Sequence, residues 1–318
     1  MTDAYGRKIE YLRMSVTDGC NLRCVYCMPA DGMSECPCRT AMSADEFVEI
    51  AEAAASLGMK KLRITGGEPL VRGDILPLVR RLGQIPGIED MSLTTNATLL
   101  RPIARELYDA GIHRINISLD TLDEEKYSRI TRSGRLSDAL DGIRAAIDVG
   151  MSPVKLNAVL IGGFNDDEIG ALAGLTLKYP VQVRFIELMP IGSADAFPKE
   201  AYLPVGEVLK RLPELEPAQR EAHSVARLYK LPGALGEVGL ISPLSDHFCA
   251  ECNRLRLTAD GCLKPCLHSA EELPVRGLHG EDLQEAILTA VTHKPQMHVA
   301  LSATERSEAK RSMYRIGG

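Results

Sequence analysis

Three cysteines, Cys20, Cys24 and Cys27, fall within eight residues in the stretch VTDGCNLRCVYCMPADG. Isolated buried cysteines are common, but three thiols separated by Asn, Arg and Tyr do not read as core. A structural zinc site takes four ligands, usually from two CxxC halves. This loop supplies three, and Cys36 and Cys38 in SECPCRT are the nearest sources of a fourth. Three thiolates on a four-iron cube leave one iron open to a small molecule, as a reactive centre requires. A second set, Cys249, Cys252, Cys262 and Cys266, runs C-x2-C-x9-C-x3-C. On spacing alone it suits a four-thiolate zinc site or a fully ligated cluster.

The elements that must position these thiols follow from patterning. The chain has 318 residues, 45% hydrophobic and 25% charged, enough for one large domain or two smaller ones. No run approaches the roughly 18 apolar residues that span a bilayer, and the first residues lack the apolar core of a secretion signal. A cytoplasmic protein is expected, without membrane association. In a reducing compartment nine cysteines point to metal ligation more than to cross-links. A net charge of −6 argues against a nucleic-acid partner held by global positive potential.

Strand patterns at residues 11–16, 61–65, 91–94, 114–119, 154–160 and 182–187 alternate with helix signals near 43–58, 74–82, 101–110, 137–149 and 166–177. The clearest helix start is Ser43 with Glu46 three residues on. Repeated strand–helix units predict a parallel sheet. Six units are too few for a closed eight-fold barrel, which leaves a doubly wound sheet or an open partial barrel. The first thiol set follows the first strand, at the carboxyl end where active-site loops gather. Beyond Pro190 prolines interrupt the pattern, and PELEPAQREAH reads as a linker. Then GLISPLSDHFCAECNRLRLTADGCLKPCLHS reads as a strand, a cysteine loop and a hairpin turning at Asp260–Gly261. A helix near 281–292 and a polar tail, RSMYRIGG, complete the chain. Two domains are expected, 1–212 and 213–318.

C-x3-C-x2-C with Tyr26 before its last cysteine resembles the radical S-adenosylmethionine enzymes, and RITGGEPLVR resembles their glycine-rich methionine-binding stretch. CAECNRLRLTADGCLKPCL resembles the C-terminal segment of the GTP 3',8-cyclase family, which makes the first intermediate of molybdenum cofactor biosynthesis. LTTNATLL, INISLDTL, VKLNAVLIGGFND, VRFIELMPIG and the terminal IGG fall in that family's order, so the match covers nearly the whole chain. The resemblance implies an α/β fold: an open partial (βα)6 TIM-like barrel with a C-terminal cysteine-rich α+β extension closing the site. It implies two [4Fe-4S] clusters, one on Cys20, Cys24 and Cys27, the other on Cys249, Cys252 and Cys266 by the pattern C-x2-C-x13-C. Cys262 falls where that pattern requires no ligand.

The resemblance also implies S-adenosylmethionine contacts at Tyr26, Gly67, Ser118 and Met189. It assigns GTP contacts to Arg13, Arg63, Thr94, Lys155, Arg254, Leu255 and Arg256, and catalytic roles to Arg184, Gly317 and Gly318. The implied partners are a reducing electron donor protein, cyclic pyranopterin monophosphate synthase downstream, and a second copy, since a homodimer is usual there. Residue chemistry agrees in several places. No G-x4-G-K-[ST] is present, so a triphosphate must be held by side chains, for which the arginine fork is suited. Arg254 and Arg256 flank Leu255, so a strand turns both to one face, a costly pairing without an anion between them. Gly317 and Gly318 lack side chains and can thread a narrow cavity. Two other readings stay open: a radical enzyme acting on another substrate, and a zinc or iron–sulfur binding protein. The second leaves GGEP and the strand-end arginines without a purpose.

Overall fold

Alternation along the strands decides the architecture. In the computed structural model, which describes residues 1–31, 41–219, 225–302 and 304–317, the strands are β1 (Tyr11–Ser15), β2 (Lys61–Thr65), β3 (Asp90–Thr95), β4 (Arg114–Ser118), β5 (Val154–Leu160), β6 (Val181–Glu187), β7 (Glu216–Pro217), β8 (Arg227–Lys230), β9 (Glu237–Ile241), β10 (Arg254–Leu257), β11 (Cys262–Lys264) and β12 (Leu273–Pro274). Cys36, Cys38 and Gly318 lie outside the described residues. The helices are α1 (Ala44–Ser56), α2 (Ile75–Leu82), α3 (Ala104–Asp109), α4 (Glu124–Thr131), α5 (Leu136–Asp148), α6 (Ile169–Ala173), α7 (Leu175–Lys178), α8 (Gly206–Arg211), α9 (Gly280–Thr292) and α10 (Met313–Ile316).

All twelve strands form one sheet, in the order β12-β11-β10-β1-β2-β3-β4-β5-β6-β9-β8-β7. Strands β1 to β6 pair in sequence and in parallel, the open (βα)6 arrangement. The later strands extend both of its edges: β10 runs parallel to β1, and β9 parallel to β6. Outside them the pairing turns antiparallel, through β11 and β12 on one side and β8 and β7 on the other.

One face of each barrel strand packs under helices. Leu12, Ile64, Leu93, Ile117, Leu156 and Phe185 are buried there, with Phe47 of α1 and Leu78 of α2. Leu255 and Leu257 of β10 and Leu283 and Ile287 of α9 belong to this same hydrophobic cluster. The segment after residue 212 therefore shares the barrel's core. The opposite strand face is polar. Register sets Arg256, Arg13, Arg63, Ser92 and Arg114 side by side across five strands. A second row carries Thr94, Asn116, Lys155 and Gln182. A period of two puts alternate residues on one face, so the strands that build the core also line an arginine-rich interior.

Local signals explain most boundaries. Ser43 accepts from Glu46 N–H while the Glu46 carboxylate accepts from Ser43 N–H, a complete capping box. The expected helix over 166–177 is split into a 3-10 turn, α6 and α7, with Gly174 at the break. Helix α4 had no counterpart in the patterning, although Asp123 caps it by accepting from Lys126 N–H. Its apolar face is too sparse to register as a stripe. The stretch read as a linker includes β7, a two-residue edge strand. Among the described residues no helix is long and apolar enough to cross a membrane.

Candidate active site

Helix α4 has a positioning role. Main-chain N–H groups of Arg23 and Val25, inside the first cysteine loop, donate to the carbonyls of Thr131 and Ile130 at 2.9 Å each. Arg132, in the left-handed region at φ 61°, donates to the carbonyls of Arg23 at 3.0 Å and Met28 at 2.9 Å. The loop is held from its other side by the GGEP turn after β2. Gly67 N–H donates to the Thr17 carbonyl and Glu68 N–H to the Gly19 carbonyl, both at 2.7 Å. A Cβ on Gly67 would lie 2.3 Å from the Gly19 carbonyl oxygen, so this glycine permits backbone packing against the cysteine loop. Glu68 accepts from Leu70 N–H, Asn96 N–H and the Thr95 hydroxyl, tying the turn to the end of β3.

Cys20, Cys24 and Cys27 face a chamber that Tyr26, Gly67, Ser118 and Met189 also line. The Tyr26 hydroxyl donates to Asp120 at 2.7 Å, and the other Asp120 oxygen accepts from Val159 N–H. Burial pushes the Asp120 carboxyl up to about 6. Burial likewise pushes the thiol of Cys20 up to about 11 and that of Cys27 to about 12. Cys24 is raised by burial and then by Cys27, Asp120 and Cys20. Thiols so placed give up their protons to a coordinated metal. Among the described residues no three His, Cys, Asp or Glu side chains converge on a point suited to one ion. The thiols ring a chamber, which fits a cube that takes thiolates at its corners.

A second chamber adjoins the first, and Thr94, Asn157, Ile186, Met189 and Met313 line both. Cys249, Cys252 and Cys266 open onto it together with Arg13, Arg63, Arg184, Arg254 and Arg256. Lys155 is buried on the row next to Asn157 and Arg184 but does not line the chamber. Leu255 alternates to the opposite face and its side chain packs in the core. Burial lowers the Arg13 guanidinium well below its usual range, and Arg256 and Arg63 lower it further. Burial and then Arg254 bring Arg256 down to about 10. Crowded buried cations of this kind are relieved by a polyanion between them. Thr94 Oγ1 and Asn157 Oδ1, on the shared wall, are buried polar atoms without a hydrogen-bond partner among the described residues, which marks the wall as a place for a polar ligand.

The second thiol set is uneven. Burial raises the Cys252 thiol, but Arg254 and Lys294 overcome it and bring it to about 6. Cys262 does not line the chamber. Its sulfur lies 3.8 Å from Arg311, which also pairs with Asp260 at 2.8 Å and Glu272 at 2.7 Å. Those ion pairs fasten the start of the C-terminal tail to the β10–β11 hairpin. Beyond them Met313 enters the shared wall, and Tyr314 lines the first chamber together with Cys27. The Gly317 carbonyl accepts from Arg256 at 2.6 Å. Gly317 has φ +81°, and a Cβ there would lie 2.7 Å from Thr65 Cγ2. Only glycine fits that conformation and that gap without strain.

The radical SAM superfamily model matches residues 14–175, and the Molybdenum Cofactor Synthesis C model matches residues 181–300. A GTP 3',8-cyclase of Alkaliphilus oremlandii is 47% identical over 321 residues, covering 100% of both chains. One of Peptoclostridium acidaminophilum is 49% identical, covering 100% of this chain and 98% of its own. The chain belongs to the GTP 3',8-cyclase family. Solved structures extend the likeness of fold. Streptococcus suis SuiB bound to S-adenosylmethionine superposes with a TM-score of 0.59 at 15% identity, over 87% of this chain and 63% of that one. The anSMEcpe protein with bound AdoMet gives 0.61 at 14% identity, over 90% and 78%. Membership of the GTP 3',8-cyclase family carries two [4Fe-4S] clusters and S-adenosylmethionine as cofactors. Sequence reading named the thiols of both chambers and the five arginines of the second. It gave no role to Asp120, Asn157, Met313 and Tyr314, although Asp120 stands inside the quoted INISLDTL and Met313 and Tyr314 inside RSMYRIGG.

Proposed function

We propose that this chain converts GTP to (8S)-3',8-cyclo-7,8-dihydroguanosine 5'-triphosphate, the first step of molybdenum cofactor biosynthesis. The observation that carries the reading is the pair of thiol-lined chambers sharing one wall, with five arginines around the second. Cys20, Cys24 and Cys27 would hold one cluster, and Cys249, Cys252 and Cys266 the other. Tyr26, Gly67, Ser118 and Met189 would bind S-adenosylmethionine. When bound, the first cluster and S-adenosylmethionine supply a 5'-deoxyadenosyl radical that takes hydrogen from the ribose 3' carbon.

The chain's own residues do the rest. Arg13, Arg63, Arg254 and Arg256 hold the triphosphate, with Lys155 adding charge from the row behind. Arg184 is aimed by Gln182, whose side-chain oxygen accepts from its Nε at 2.5 Å. Thr94, on the shared wall, meets the nucleotide, and Leu255 fixes the spacing of its two arginines. Met313 and Gly317 close the chambers against water, with Gly318 completing the tail. Fixed geometry of this kind lowers the barrier by replacing a chance encounter with a held one. Residues 1–212 act as the radical-generating unit and 213–318 as the second-cluster and substrate unit. A reducing electron donor protein supplies the electron and cyclic pyranopterin monophosphate synthase takes the product. The protein works in the cytoplasm as a homodimer.

The test is the anaerobic product mixture formed from GTP, S-adenosylmethionine and a reductant. The expected products are 5'-deoxyadenosine and the cyclised triphosphate in equal amounts. Zinc in place of iron on the second thiol set, with no cyclised product, would support a metal-binding protein instead. A substrate-side check follows from Arg254, whose guanidinium lies 5.1 Å from the Phe248 ring at the chamber edge. Arg254→Ala is expected to weaken GTP binding by ~1.5–3 kcal/mol, roughly one to two decades, with S-adenosylmethionine affinity unchanged. Anaerobic titration calorimetry reads both, and unchanged GTP affinity returns Arg254 to a structural role.

A further inference from the structure

Lys294 stands just past α9 and is 3% exposed. Its ammonium donates to the carbonyls of Arg254 and Pro265, each at 2.8 Å, and lies near enough to Cys252 for its charge to favour that thiolate. A lysine has three N–H donors, and these carbonyls take two of them. The two acceptors are the residue two positions after Cys252 and the residue immediately before Cys266. Strand β10, the turn and β11 separate those two segments in sequence, and one buried cation joins them. Arg7 repeats the device at the other end of the thiol set. It donates to the carbonyls of Cys249 at 2.8 Å, Pro295 at 2.7 Å and Gln296 at 3.0 Å, while its Nε is held by Asp3 at 2.6 Å. Residues 294–296 are thereby stapled to the cysteine segment at Cys249 and at Arg254.

Packing alone does not account for this cation. The chamber already carries five arginines, and a buried ammonium adds repulsion unless something negative lies within reach. The Cys252 sulfur is within reach. We infer that Lys294 is the positioning residue of the second iron–sulfur cluster, holding the Cys252 and Cys266 segments in register and setting its charge beside a ligating sulfur. Positive charge beside cluster sulfurs favours the reduced, more negative state and raises the potential. The inference rests on Cys249, Cys252 and Cys266 being that cluster's ligands.

The full chain, reconstituted anaerobically, tests it. Lys294→Met keeps an unbranched side chain one atom shorter and removes every donor. Iron is expected to fall from about eight to about four per chain, while the first cluster keeps its electron paramagnetic response to added S-adenosylmethionine. A K294M protein with full iron and an unchanged second signal overturns the inference. Lys294→Gln covers the case in which K294M does not fold, because its amide still serves the two carbonyls but lacks the charge. For K294Q the second cluster is expected to titrate at a more negative potential and to lose iron to a chelator about tenfold faster. An unchanged potential and release rate overturn the inference equally. Cys252→Ala separates the two layers of argument. Full iron in that variant means the ligand assignment has failed, whereas loss there with none in the Lys294 variants means only the role of Lys294 has failed.

Discussion

Cys24→Ala is expected to fold and to produce no 5'-deoxyadenosine, whereas Cys266→Ala keeps that cleavage and loses the cyclised product. The two effects separate because the thiol sets face different chambers that share only a wall. Each variant should retain about four of about eight irons after anaerobic reconstitution. Cys262→Ala should retain all of them, since its sulfur lies beside Arg311 and outside the second chamber. Iron and sulfide analysis, paramagnetic resonance and chromatography of both products read all three variants. Loss of the second cluster in the Cys262 variant, with retention in the Cys266 variant, would exchange their assigned roles.

Removing Gly317 and Gly318 is expected to leave both clusters loaded and to lower cyclised product by roughly a hundredfold or more, the scale of a small misplacement near reacting atoms. The Gly317 carbonyl occupies one donor of Arg256, and Tyr314 lines the first chamber together with Cys27, so the tail touches both chambers at once. Gly317→Val should act in the same direction. Its side chain would meet Thr65 and Ser15 in a backbone conformation that valine disfavours. The ratio of 5'-deoxyadenosine to cyclised product is the readout, because a misplaced tail uncouples cleavage from cyclisation. A ratio equal to that of the intact chain would reduce the tail to an ordinary terminus.

What the sequence made legible was whatever a period of two or a fixed spacing records. The six barrel strands are strictly patterned, and the thiol spacing points to metal chemistry, with the choice of ligands in the second set coming from the family resemblance. Arg254 and Arg256 are an instance of both, since alternation alone puts them on one face. Other features depend on contacts between segments far apart in the chain. Lys294 carries no local signal, because its two carbonyl acceptors lie at residues 254 and 265. Helix α4 was invisible for a related reason: it is short and buries only Tyr127, Ile130 and Thr131, and its purpose is to hold a loop some hundred residues earlier. The pairing of β10 with β1 and of β9 with β6 is likewise a tertiary event, and it joins strands from after residue 212 to the barrel's sheet and core.

That pairing also constrains how the protein is made. Strand β1 leaves the ribosome first, yet its outer neighbour β10 follows some 240 residues later, at Arg254–Leu257. Until then the nascent barrel carries an open edge, the kind of surface on which chains aggregate. Arg13, central in the arginine row, waits beside that edge for Arg256. The first thiol loop rests on elements made early, β1, β2 and α4, whereas the second chamber also needs residues as late in the chain as Lys294, His298 and Met313, so the two chambers take shape in that order.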